Sequence, residues 1–185
     1  MEHAMQRTQE RTRMMVQTGA FAALACVATM VVKVPSPTNG YMNLGDTVVL
    51  LGAYLLGPVY GAVAAGIGSA LADILLAAAV YAPATLVIKA VMALVAGTLY
   101  RHLRRTEGPG AFHALGVLVT CGLVGEVPMV LGYWLYDALL LGSLAGSAIG
   151  IPSNLVQAAF GVTASTLLAL ALRKSGYVRK RFPTL

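Results

Sequence analysis

Charged residues are scarce in this sequence, which has thirteen Lys and Arg and seven Asp and Glu among 185 residues, or 11%. Soluble globular domains carry about 25% charged residues. The hydrophobic share is 58%, and the mean hydropathy is +0.76. This composition excludes an ordinary soluble domain and indicates a chain that lives in a lipid bilayer.

Cysteine and histidine are also rare. The two cysteines, Cys26 and Cys121, fall in apolar segments without a CxxC spacing, so neither a disulfide nor a metal site is predicted. The three histidines, His3, His102 and His113, are far apart and outside the apolar cores. We therefore expect no metal, no cofactor and no catalytic residue, and hence no enzyme activity of the chain's own.

Long apolar segments predict an all-α integral membrane protein with six transmembrane helices. A helix crosses the bilayer in about 20 residues, so the chain has room for six crossings and hardly any soluble part. Turn residues separate the segments, most clearly Gly57-Pro58 and Tyr81-Ala82-Pro83. The predicted helices span residues 14–33, 44–56, 58–80, 83–104, 112–141 and 151–172, which form one membrane domain over 14–172.

The basic residues predict the orientation of these helices. Three arginines precede the first helix within residues 1–13, three follow the fourth helix, and five Lys and Arg lie in the tail, residues 173–185. The positive-inside rule places all three stretches in the cytoplasm, together with both termini. The net charge of +6 then reflects topology and contact with anionic lipid, and no nucleic-acid partner is expected.

Six ionisable residues lie inside or at the edge of apolar segments, where each costs about 2.5–3.5 kcal/mol on insertion scales. Such residues usually line a cavity or pathway. Counting along the predicted helices places most of them near the outer end, at the depth of several other polar and aromatic residues, and only Glu126 deeper. The ionisable set is Lys33, Asp46, Asp73, Lys89, Glu126 and Asp137, and the accompanying residues are Tyr133, Trp134, Asn154 and Gln157. We expect a pocket that is loaded from outside.

Most of these residues also have a purely structural interpretation. Asp46 suits a helix N-cap, as does Asn43. Lys89 and Asp73 suit a structural ion pair between adjacent helices. Tyr133 and Trp134 suit an interfacial aromatic belt, and Asn154 and Gln157 suit hydrogen bonding between helices.

Several ordered motifs resemble the substrate-binding S components of energy-coupling factor (ECF) vitamin transporters, over about residues 18–172. They begin with the loop that runs from Pro37 to Asp46. They continue with Leu56-Gly57-Pro58, Gly68-Ser69-Ala70-Leu71-Ala72-Asp73, Tyr81-Ala82-Pro83-Ala84-Thr85-Leu86-Val87-Ile88-Lys89, Gly132-Tyr133-Trp134-Leu135 and Ile151-Pro152-Ser153-Asn154-Leu155-Val156-Gln157.

The resemblance implies a subunit in the plasma membrane of a prokaryote that captures a vitamin or precursor outside the cell. It would dock on a transmembrane coupling subunit that is driven by two ATPase subunits. The resemblance assigns ligand binding to Asn39, Tyr41, Asn43, Lys89, Tyr133, Trp134, Asn154 and Gln157, with Asp46, Asp73, Glu126 and Asp137 in support. Small residues on the first helix contact the coupling subunit in that family, which carries over to Gly19, Ala22, Ala23 and Cys26, although strict Ala-xxx-Ala spacing is lacking.

One lysine, several amides and two aromatic rings suit a small, flat heteroaromatic ligand, held by stacking and oriented by the amides. This set favours a pyridoxine-like or hydroxymethylpyrimidine-like compound over riboflavin. Two other functions share some of these features. A solitary secondary transporter would use Asp73 or Glu126 as a proton site. An intramembrane aspartyl protease is disfavoured, because Tyr136-Asp137 and Asn43-Leu44-Gly45-Asp46 stand in reversed order.

Overall fold

The computed structural model describes residues 2–35, 41–106 and 111–182, and it is almost entirely helical. The β-strands β1 (Lys33–Pro35) and β2 (Tyr41–Asn43) form an antiparallel hairpin. Short 3-10 turns follow α4 and α6, at Arg104–Thr106 and Ala148–Gly150. The helices are α1 (Glu2–Val31), α2 (Gly45–Leu56), α3 (Pro58–Leu75), α4 (Ala82–Leu103), α5 (Ala111–Leu141), the single-turn α6 (Leu144–Ser147), α7 (Ile151–Arg173) and α8 (Gly176–Arg181).

The six-helix prediction is confirmed by α1, α2, α3, α4, α5 and α7. Five of these are long and apolar enough to cross a membrane, and α2 is a shorter apolar helix of 12 residues. The first helix begins twelve residues earlier than predicted, at Glu2 instead of residue 14. Residues 2–13 contain no Pro or Gly, so nothing in the basic segment ends the helix.

The third helix is shorter than predicted and ends at Leu75 instead of residue 80. Ala77 adopts the left-handed conformation, with φ of 58°, and the Ala78 N–H donates to the Asp73 carbonyl at 2.8 Å. The Ala77 N–H donates to the Ile74 carbonyl at 3.3 Å, which completes a Schellman motif. The end of α3 could not be predicted from the sequence, because the left-handed position is occupied by alanine instead of the usual glycine.

Helix α2 lies at the centre of the bundle. Every residue of α2 except Val48 is buried, and the helix packs against α1, α3, α4 and α7. The contacts of α1 with α3, α3 with α4, α4 with α5, and α5 with α7 arrange the longer helices in an arc around it. The outward face of α3 carries the apolar stripe Val63, Ile67, Leu71 and Ile74, each about half exposed. Such a surface suits a lipid environment.

The alternating helices give the bundle two distinct ends. The site end comprises the β1–β2 hairpin, the start of α2 and the connections at residues 76–81 and 142–150. The basic end comprises the start of α1, the Gly57-Pro58 turn, residues 101–106 and α8. The predicted turn is confirmed, since Gly57 has φ of 82° and Pro58 is the first residue of α3.

Candidate functional site

A buried lysine stands at the centre of the polar cluster near the site end. Lys89 of α4 is 2% exposed, and its Nζ donates to Asp46 Oδ1 of α2 in an ion pair. The same Nζ lies 5.4 Å from the centroid of the Tyr133 ring on α5, within the range of a cation–π contact. One ammonium group therefore joins three helices in the interior of the bundle.

Gln157 connects this ion pair to α7 and to the hairpin. Its Nε2 donates to Asp46 Oδ2 at 2.6 Å, and its Oε1 accepts the backbone N–H of Asn43 at 2.8 Å. Asn43 Oδ1 in turn accepts the backbone N–H of Gly45 at 2.8 Å, at the start of α2. The amide of Gln157 thus fixes the position of Asp46 relative to the hairpin.

This geometry corrects two of the structural interpretations. Asp46 does not cap α2, because Asn43 satisfies the first backbone N–H and the Asp46 carboxylate is held by Lys89 and Gln157. The salt bridge of Lys89 runs to Asp46, whereas the sequence had offered Asp73 as the partner. Asp73 is buried in the last turn of α3.

Tyr133 is held by a second polar contact, since its hydroxyl lies 3.0 Å from Thr85 Oγ1 of α4. Lys89 is seven residues into α4, Gln157 is six residues into α7, and Tyr133 is eight residues before the end of α5. At 1.5 Å per residue these side chains lie about 9–12 Å from the ends of their helices. The three helices therefore bring their polar residues to a common depth.

Glu126 lies deeper on α5 and differs from the other buried polar groups. It is 3% exposed, and neither carboxyl oxygen has a hydrogen-bond partner in the described part of the chain. Gly161 of α7 allows it to approach the cluster: a Cβ at position 161 would stand 2.9 Å from both Glu126 Oε1 and Asp46 Cβ. A buried polar group without a partner costs about 1–3 kcal/mol. Glu126 thus places a carboxyl group beside the ion pair that can still form hydrogen bonds.

A further layer of contacts closes the site end above Lys89. The Tyr81 hydroxyl donates to Asp137 Oδ1 at 2.9 Å, and the Tyr136 hydroxyl donates to the Val80 carbonyl. Burial, the hydrogen bond to Asp137 and the nearby carboxylate raise the pKa of Tyr81 above its ordinary value. These contacts tie the connection between α3 and α4 to the end of α5.

Trp134 belongs to this outer layer as well. Its Nε1 donates to the Leu144 carbonyl of α6 at 3.1 Å, so the half-buried indole anchors the connection between α5 and α7. Asn154 is half-buried on α7, one turn before Gln157. Asn39 lies outside the described residues, and Tyr41 is described by its backbone alone, which pairs with Pro35. The assignment of these residues to ligand binding stays a prediction.

The small residues predicted to contact a coupling subunit divide between two faces of α1. Ala22 packs against α3, because a Cβ on Gly68 would come within 2.2 Å of the Ala22 carbonyl oxygen, and Cys26 is buried. Gly19 and Ala23 are exposed, and a Cβ on Gly19 would meet nothing within 4 Å. The face that carries Gly19 and Ala23 therefore remains open to a partner.

Three residues of the cluster were not selected from the sequence. Thr85 stands four residues before Lys89 and so shares its helix face, a spacing that would have revealed it. Tyr81 lies in the motif that precedes α4, but its partner Asp137 is 56 residues away. Gly161 matters because it has no side chain and so leaves room for Glu126 and Asp46. No pattern in the sequence distinguishes Gly161 from the other glycines of the chain.

The cluster offers an ammonium group, two carboxyls, a carboxamide and an aromatic face within a low-dielectric interior. These groups suit recognition of a flat polar molecule by hydrogen bonds and ring contacts. Among the residues that the structure describes, no group of three or more His, Cys, Asp or Glu is placed to hold a metal ion.

Comparison with known proteins identifies relatives over most of the chain. Residues 9–174 match a family model described as the S component of ECF-type riboflavin transporters. A protein of Pyrococcus woesei, described as an uncharacterized protein in a gap 3' region, is 34% identical over 149 residues, which cover 80% of this chain and 93% of the relative.

Solved structures share the fold. The S component for biotin from an ECF-type ABC transporter superposes with a TM-score of 0.69 at 19% identity, covering 94% of this chain and 97% of that one. The S component of a bacterial ECF transporter superposes with a TM-score of 0.66, also at 19% identity, covering 89% and 97%.

Proposed function

Since this chain belongs to the ECF-type riboflavin transporter S component family, we propose that it captures a vitamin or vitamin precursor at the outer face of the cell membrane. It is a substrate-binding component in a prokaryotic membrane and not an enzyme. In this proposal, ATP hydrolysis on two partner ATPase subunits drives uptake through a transmembrane coupling subunit, and the basic end faces the cytoplasm.

The observation that carries the proposal is the buried network of Lys89, Asp46 and Gln157 close to the site end. Four helices and the hairpin contribute to it, so a ligand that enters from that end meets groups from most of the fold. Charged side chains in a membrane interior cost free energy, and they usually belong to a transport pathway or a binding site. The neighbouring Glu126 adds a carboxyl group whose oxygens have no hydrogen-bond partner among the described residues.

Two ligand classes are candidates for this site. The name of the matching family favours riboflavin, whose flat ring system would contact the Tyr133 ring and hydrogen-bond to Gln157 and Glu126. The small number of polar groups favours a single ring, as in a pyridoxine-like or hydroxymethylpyrimidine-like compound. We place riboflavin first, because the family match covers residues 9–174.

Thermal shift of the detergent-purified chain would separate the two classes, with riboflavin, pyridoxine and 4-amino-5-hydroxymethyl-2-methylpyrimidine as probes. A ligand at one hundred times its Kd stabilises the folded state by about 2.7 kcal/mol, which is readily measured. Stabilisation by riboflavin alone supports the first choice, and stabilisation by one of the smaller rings supports the second. If none of the three compounds raises the melting temperature, both ligand assignments are contradicted.

A solitary secondary transporter is the alternative. The observation that favours it is the buried carboxyl of Glu126, which has no hydrogen-bond partner in the part of the chain that the structure describes. Intramembrane carboxyl groups serve as proton sites in such transporters. Uptake of the identified ligand into cells with and without the ATPase subunits distinguishes the two mechanisms. Uptake that is lost without the ATPases supports the coupled mechanism, and uptake that persists contradicts it.

A further inference from the structure

The basic end of the bundle contains a cavity that the substrate site does not use. Its volume is about 320 Å³, and it lies between the Gly57 turn and the end of α4. Arginines line its mouth, and two tyrosines with small residues line its inner part. The lining residues are Ala53, Tyr54, Gly57, Gly97, Tyr100, Arg101, Arg104 and Arg105.

The three arginines concentrate positive charge at this cavity. Arg101 and Arg105 are exposed and Arg104 is half-buried. No acidic side chain in the described ranges lies within ion-pair distance of any of the three. Three guanidinium groups around one cavity, with no acidic partner among the described residues, favour an anion, and phosphate above all, because their paired N–H groups match its oxygens.

The turn at Gly57 leaves room for the guanidinium of Arg101 at the cavity wall. A Cβ on Gly57 would come within 2.6 Å of Arg101 Nη2, so the absence of a side chain lets the guanidinium lie against the turn. Gly57 also has φ of 82°, a conformation that strains other residues. The guanidinium of Arg101 thus lies directly against the backbone of the turn between α2 and α3.

Two aromatic side chains form the inner wall of the cavity. Tyr54 and Tyr100 are buried, with ring centroids 4.8 Å apart, and the Tyr54 hydroxyl is engaged with the Leu118 carbonyl. The volume of about 320 Å³ equals that of about ten water molecules in the liquid, which is more than a single small ion fills. The cavity thus suits a phosphate that is attached to a less polar group.

We propose that this cavity binds a phosphate ester at the basic end, separately from the vitamin site. The phosphate would contact Arg101 and Arg104 at the mouth, and the organic part would extend outward from the mouth, because Tyr54 and Tyr100 are 0% and 2% exposed and only form the inner wall. Two sources share this chemistry, an anionic phospholipid headgroup and a soluble phosphate monoester. Basic pockets between transmembrane helices are known to accept lipid headgroups.

The test uses the full chain and a charge-neutral double variant, Arg101→Gln with Arg104→Gln. The matched control is Arg7→Gln with Arg11→Gln, which removes the same charge from exposed positions of α1 that do not line the cavity. Size-exclusion profiles establish that both variants fold. Native mass spectrometry after reconstitution in phosphatidylglycerol or phosphatidylcholine counts retained lipid, and thermal shift with glycerol 3-phosphate in lipid-free detergent tests the soluble source.

Retention of phosphatidylglycerol but not phosphatidylcholine by the wild type and the control, with an affinity on the order of tenfold lower in the double variant, supports the lipid source. Stabilisation by glycerol 3-phosphate that the double variant loses supports the soluble source. Equal loss in the control, or no binding in either arm, overturns the proposal. Neither result bears on the vitamin site, because Arg101 and Arg104 lie at the opposite end of α4 from Lys89.

Discussion

At the scale of single residues, the pair formed by Lys89 and Asp46 has two separable effects. The two side chains are 2% and 1% exposed, and removing one partner of such a pair typically destabilises a protein by about 3–5 kcal/mol. We expect Lys89→Met to lower the thermal stability of the purified chain and to abolish ligand binding.

The double variant Lys89→Met with Asp46→Asn separates these effects. It removes both charges and leaves an amide oxygen to accept from Gln157, so we expect stability to recover toward that of the wild type while binding stays lost. Differential scanning fluorimetry and a ligand titration on the same samples measure both. Wild-type affinity in the double variant would show that Lys89 and Asp46 are structural only.

Glu126 gives a second prediction, because its carboxyl oxygens have no partner among the described residues. We expect Glu126→Gln to leave the stability of the ligand-free protein unchanged or slightly higher, and to weaken ligand binding by about tenfold, the effect of one hydrogen bond. Isothermal titration calorimetry measures the affinity, with the exposed Glu10→Gln as the control. Reduced stability together with unchanged affinity would assign Glu126 a structural role.

At the scale of elements, the contact between α1 and α3 depends on a single glycine. A Cβ at position 68 would overlap the carbonyl oxygen of Ala22, so Gly68→Ala must push the two helices apart. Overpacking of this kind costs about 1–3 kcal/mol. We expect a corresponding loss of thermal stability in detergent.

Gly19→Ala is the matched control, because a Cβ there meets nothing within 4 Å. Alanine is favoured over glycine inside a helix by about 0.5–1 kcal/mol, so this change should be neutral or stabilising. Equal stability of both variants would contradict the close packing of α1 on α3.

The sequence predicted elements better than it predicted their ends. Apolar length was sufficient to find the five long helices and the shorter α2, and Gly57-Pro58 marked its turn because glycine allows a positive φ and proline cannot continue the preceding helix. The end of α3 was missed, since the Schellman motif uses Ala77. The start of α1 was missed because a basic helix without Pro or Gly differs little in composition from a basic tail.

The sequence placed the polar residues at a common depth but could not choose their partners. Helical rise along α4, α5 and α7 was enough to bring Lys89, Tyr133 and Gln157 together. Which carboxylate meets Lys89 depends on how α2 and α7 pack, and that packing depends on Gly161, which shows no signal of its own.

At the scale of the whole molecule, the exposed face of α1 predicts how the subunit assembles. If Gly19 and Ala23 contact the coupling subunit, Ala23→Leu should reduce uptake severalfold in cells while leaving ligand affinity unchanged, because the face lies outside the polar cluster. The control is Ala159→Leu, the same change at an exposed position of α7. Unchanged uptake with Ala23→Leu, or an equal loss with Ala159→Leu, would argue against docking through this face.

The central claim is that the buried cluster around Lys89 binds a vitamin-like compound, and native mass spectrometry of the purified chain tests it most directly. The wild type, purified from cells supplied with B-vitamins and precursors, should retain one small molecule at one copy per chain. The Lys89→Met with Asp46→Asn variant should retain none. A wild-type chain that carries no ligand, or a double variant that carries the same ligand equally well, would contradict the assignment.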